Sequence, residues 1–85
     1  MARKPIKIID ARLARKGLLG RAYIRERKIE VDFDSHGHER ELLDTVCHEV
    51  LHVSSNDFLS EEAIEKRSAD LADVLYRMKW RRVIQ

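Results

Sequence analysis

One cysteine, one proline and three glycines are all that this chain of 85 residues contains of the types that staple or interrupt a small fold. A lone Cys47 excludes an internal disulfide and a zinc site built on cysteines, and it agrees with a reducing compartment. No segment reaches the roughly 18 apolar residues that cross a bilayer. The opening MARKPIKIID lacks the unbroken apolar stretch of a secretory signal, so cytoplasm is the expected location and a membrane is not an expected partner. Repeats, low-complexity tracts and linkers are missing as well, which leads to the expectation of one domain over residues 1–85.

What is present is enough apolar material for a modest core, and charge that is unevenly spread. Hydrophobic residues make up 44% and charged residues 38%, a balance that suits a folded chain rather than a disordered one. The net charge of +2 conceals two unlike parts. Residues 1–28 carry ten Lys/Arg against two acids, a balance of +8, and residues 29–85 carry seven against thirteen, a balance of −6. A basic N-terminal part can attract nucleic acid or an acidic partner, but no recognition motif accompanies it, and solvated surface is the plainer expectation.

The apolar pattern predicts an α+β chain, a small sheet of about three strands followed by two helices. Ile6, Ile8 and Ile9 mark a first strand, and ARLARKG after it fits either a helical turn or a basic loop. Residues 21–25 offer a second strand. KIEVDFD offers a third, because Ile29, Val31 and Phe33 alternate with Glu30, Asp32 and Asp34 and so leave one face wet. SHGHE turns the chain into a helix expected from about Glu39 to Ser54, and Ser60 caps another over about Glu61 to Lys79. Trp80, Arg81 and Arg82 are expected to close the core where that helix ends.

CHEVLH, residues 47–52, lies inside the first of these helices. With His48 at the origin, about 100° per residue puts His52 near 40° and Glu49 near 100°. Leu42, Leu43, Val46, Cys47, Val50 and Leu51 fill the arc from roughly 120° to 300°, so both histidines stand clear of the apolar face and Cys47 reads as a small hydrophobe. Imidazoles at i and i+4 can converge on one Zn²⁺, and the glutamate between them can reach a water on the metal. His48 and His52 are therefore candidate ligands and Glu49 a candidate general base.

A catalytic zinc normally takes three protein ligands. The second helix offers three glutamates, and taking Ile64, Leu71, Val74, Leu75 and Met78 as its core face puts Glu65 at the border beside Ala69 and Ala72, with Glu62 turned away. Glu65 is the expected third ligand and Glu61 the second choice; Asp57, His36 and His38 are further candidates in segments where turn roles compete.

HEVLH followed by EKRSADLA resembles the HExxH and downstream ExxAxxFA-like arrangement of ImmA/IrrE-type metallopeptidase domains, and LLGRAYIRERKIEVD is similar to the strands that precede their metal helix. The likeness is nearest to short metallopeptidase-like proteins of phage and bacterial genomes and spans about residues 17–80. It is more distant from SprT-like proteases, whose third histidine and DNA-binding module are not found here. It implies a minimal zincin-like domain with His48, His52 and Glu65 as zinc ligands and Glu49 as the catalytic glutamate. Ser68 departs from the family's common alanine, and the connection after His52 is short.

The expected activity is zinc-dependent hydrolysis of a protein or peptide substrate, with Glu49 accepting the proton of an attacking water. Tyr23, Tyr76, His36 or His38 could assist at the oxyanion. Other classes also fit the sequence. A regulatory or interaction module could hold zinc for stability alone, a basic protein could associate with nucleic acid through residues 1–28, and a chain this short could form a homo-oligomer.

Overall fold

The computed structural model describes residues 4–82. Three short strands, β1 (Lys7–Asp10), β2 (Gly20–Tyr23) and β3 (Lys28–Val31), precede two helices, α1 (Glu39–Ser54) and α2 (Glu61–Arg77). The sheet order is β1-β3-β2, with β3 parallel to β1 and antiparallel to β2. A tight turn joins β2 to β3, with Arg27 at φ 48° and its N–H donating to the Ile24 carbonyl at 3.2 Å. Arg21 stands opposite Glu30 in this hairpin and pairs with it at 2.9 Å, while the Tyr23 hydroxyl donates to the same carboxylate at 2.8 Å. That hydroxyl and the Arg21 guanidinium hold Glu30 below the usual carboxylate range. Among the described residues β2 is an edge strand.

Ile29 and Val31 of the central strand are fully buried against Leu42 and Val53 of α1, with Val46 and Val50 beside them. The apolar arc of α1 thus faces the sheet as its periodicity requires. Ser60 caps α2 as expected, its Oγ accepting from the Ala63 N–H at 3.1 Å.

Three expectations are corrected by this packing. The buried stripe of α2 is Ile64, Ser68 and Ala72, whereas Leu71, Val74 and Met78 are exposed. Among the described elements α2 packs on α1 alone, so it needs only a narrow contact stripe, and the small residues let the helices approach closely. Ser68 satisfies its buried hydroxyl by donating to the Glu65 carbonyl at 3.1 Å, which explains how serine is accommodated in this stripe. Trp80 is 58% exposed and does not close the core; Arg81 stacks on Tyr76 and Arg82 on Phe33 instead.

Asp32 is the third correction, since the alternation of β3 placed it on the wet face and it is 1% exposed. The strand ends at Val31, and one carboxylate oxygen of Asp32 then accepts from the backbone N–H groups of Leu13 at 2.9 Å and Ala14 at 3.1 Å. These bonds start the 3₁₀ turn Ala14–Lys16, which ends at Gly17 in a left-handed conformation, φ 73°. ARLARKG is therefore a helical turn at its centre, pinned at Leu13 in the interior, and it delivers residues 17–20 to the flank of α1.

Burial is the largest single influence on Asp32 and would raise its carboxyl, but the N–H groups of Leu13 and Ala14, with Ser35 and Arg12, hold it below the ordinary range. The folded chain then keeps Asp32 ionised where the unfolded chain begins to protonate it. Its stabilising contribution is full above about pH 4 and fades as pH falls through the lowered value. Asp32→Ala should lower the melting temperature at neutral pH by roughly 5 °C or more, and thermal melts in acid should show that gap closing.

Candidate metal centre

α1 begins at His38, which is its N-cap: Nδ1 accepts from the Arg40 N–H at 3.1 Å and Nε2 faces the Tyr76 hydroxyl at 3.4 Å. His36 pairs with the Thr45 hydroxyl at 2.8 Å. Both histidines therefore serve the turn into α1, and neither joins a metal-sized cluster among the described residues. Tyr23 is engaged by Glu30 and Tyr76 by His38 and Arg81, which accounts for the two tyrosines considered at the oxyanion.

At the far end of α1 the situation changes. Asn56 and Asp57, at φ 51° and 65°, reverse the chain within a few residues, so α2 starts directly opposite the last turns of α1. The two helices run antiparallel, Arg40 meeting Asp73 at one end and His52 meeting Glu61 at the other. Glu61 Oε1 lies 2.7 Å from His48 Nε2, and its Oε2 lies 3.1 Å from His52 Nε2. His52 Nδ1 faces Asp57 Oδ1 at 3.2 Å. One ligand atom from each of His48, His52 and Glu61 lies within 4.8 Å of the other two.

The donor set fits a divalent ion. A carboxylate set against two imidazole nitrogens needs either a proton on each facing nitrogen or a cation shared among the three, and His52 has a carboxylate on both sides. With a cation between them, an Nδ1–H donating to Asp57 would leave the His52 Nε2 lone pair to face the ion, the second carboxylate fixing tautomer and ring orientation as around many metal-bound histidines. Two imidazoles and one carboxylate are also a ligand set found at catalytic zinc.

The carboxylate in this cluster is Glu61, the second choice from sequence, and not Glu65. Two physical facts separate them. The buried stripe of α2 is turned toward Ser68 and Ala72, which aligns Glu61 with it better than Glu65. A helical wheel also carries no height: four residues are about 6 Å along the axis, and the short connection sets the first residue of α2, rather than the fifth, at the level of the histidine pair. Glu65 lines the neighbouring cleft with His48 and Glu49.

Glu49 points into that cleft from a site where it is 9% exposed, and no hydrogen bond or ion pair to another described residue engages it. Burial pushes its carboxyl up; His48 and His52 oppose the shift and Glu61 adds to it. A raised carboxyl is what a general base working near neutral pH requires. Room for it comes from β2. A Cβ on Gly20 would lie 2.9 Å from both Glu49 Oε2 and Thr45 Cγ2, so only glycine lets the strand lie over this carboxylate. Gly20→Ala should displace Glu49 while sparing the histidines, and is expected to cut turnover about tenfold or more with zinc stoichiometry unchanged. Metal analysis beside any activity assay checks both halves of that statement.

Cys47 is half-buried, outside the triad, and its thiol is raised by burial and by Asp44, the reverse of an activated nucleophile. The cleft itself has a volume of about 510 Å³ and runs between residues 17–20 on one side and α1 and α2 on the other.

No protein-family model, curated protein or solved structure matches the chain. Its class is therefore defined by fold and site: a three-stranded N-terminal sheet followed by two helices, with a His48/His52/Glu61 cluster consistent with a zincin-like metal centre. No helix among the described residues is long and apolar enough to cross a membrane.

Proposed function

We propose that this chain is a zinc-dependent peptide hydrolase whose ligands are His48, His52 and Glu61 and whose general base is Glu49. The observation that carries the reading is the convergence of those three groups beside a buried carboxylate on an open cleft. Zn²⁺ held there would supply Lewis acidity toward a carbonyl oxygen and acidify a water ligand. Glu49 accepts the proton of the attacking water at its carboxylate and returns a proton to the departing amine. Asp57 keeps the His52 ring in place through Nδ1. The edge of β2, unpaired among the described residues and with Gly20 in the cleft wall, offers backbone groups to a peptide lying in extended form.

Incubation of the purified chain with an unstructured protein such as casein tests this reading. Cleavage that a chelator abolishes and added zinc restores is the expected result. Stoichiometric zinc without cleavage of casein or of a broad peptide mixture would sink the hydrolase and leave a zinc-stabilised interaction module, a role open to a core this small.

A further inference from the structure

We infer that the cleft beside the histidines receives a cationic side chain, lysine or arginine, of the peptide substrate. This rests on the hydrolase reading and names the substrate class of the same site. Glu41 and Asp44 on α1 and Glu65 on α2 stand in the cleft wall, and among the described residues no lysine or arginine lines it. Among the described residues, none of these three carboxylates has an ion pair or a side-chain hydrogen bond. Unneutralised negative charge is thus gathered where a substrate would enter.

A second feature points to an occupant. Glu49 is nine-tenths buried, faces the same cleft and receives no hydrogen bond from the described chain, so its carboxylate is open to a donor that enters the cleft. Another metal ion does not fit, because among the described residues the only cluster of three or more metal-ligating side chains is His48/His52/Glu61. Charge spread along a wall suits a long organic cation. Leu18 and Leu19, 39% and 43% exposed on the opposite wall, offer apolar surface to the methylene stem of such a side chain.

The test uses the zinc-loaded Glu49→Gln chain, so that the probes stay intact, and three fluorescent eight-residue peptides identical except for a central arginine, citrulline or glutamate. Anisotropy titration should show the arginine peptide binding about tenfold more tightly than its neutral isostere, with the glutamate peptide weakest. The preference should shrink in roughly 0.5 M salt and in a Glu41→Gln, Asp44→Asn, Glu65→Gln triple variant. Equal binding of arginine and citrulline peptides, no binding of the arginine peptide, or a preference untouched by the triple substitution would overturn the inference. The peptide comparison is made on one protein and does not depend on the triple variant folding. Failure of the two readings is distinguishable. Hydrolysis indifferent to peptide charge removes the cation site and leaves the hydrolase, while charge-selective binding without zinc-dependent hydrolysis by the unsubstituted chain removes the hydrolase and leaves the cation site.

Discussion

Glu49→Gln should lower zinc-dependent hydrolysis by roughly 10²- to 10⁴-fold, the range over which a positioned general base accelerates proton transfer. Zinc should remain bound at one per chain, because Glu49 is not one of the three converging groups. The substitution is nearly isosteric, so the crowded space between Gly20, Thr45 and α1 stays filled and the fold is preserved. It also removes a buried carboxyl whose ionised form the interior disfavours. Thermal stability of the metal-free chain near neutral pH should therefore rise or hold, not fall. Lost turnover together with lost stability would mean that Glu49 is a structural carboxylate, and the proposed mechanism would lose its base.

The metal centre itself yields the second large effect. His48→Ala and Glu61→Gln are each expected to weaken zinc binding by about 100-fold or more, since removal of a ligand exceeds the roughly 10- to 100-fold loss seen when only a supporting partner is removed. Glu65→Gln should leave affinity close to that of the unsubstituted chain. Asp57→Asn, which weakens the hold on His52 Nδ1 without touching Nε2, belongs in the intermediate range. Competition titration against a chromophoric chelator measures all four. Loss of affinity in Glu65→Gln but not in Glu61→Gln would show that α2 shifts by one turn on binding metal, and the ligand assignment would have to move with it.

The order of these effects reflects what each residue touches. In the proposed centre His48 and Glu61 would act on the ion directly and Asp57 through His52, while Gly20 acts through the space it leaves for Glu49. Gly20 is required for close approach of strand and helix, not for a special backbone angle.

The helix bearing His48 and His52 was legible in the sequence because its cause is local. Periodicity fixes angle around the axis, so the imidazoles had to share a face away from Leu42 and Val46, and Ser60 had to cap the next helix. The alternation of Ile29 and Val31 likewise announced the central strand. Tertiary structure decided what depends on height and on neighbours. The turn at Asn56 and Asp57 set Glu61, rather than Glu65, level with the histidines. Contact with α1 alone chose Ile64, Ser68 and Ala72 over the larger Leu71, Val74 and Met78. Asp32, by strand alternation a surface residue, was drawn inside by two backbone N–H groups nearly twenty positions earlier in the chain. A periodic pattern records which side of an element is apolar; it holds no record of which other segment arrives there, and a ligand set or a buried carboxylate is made only by that arrival.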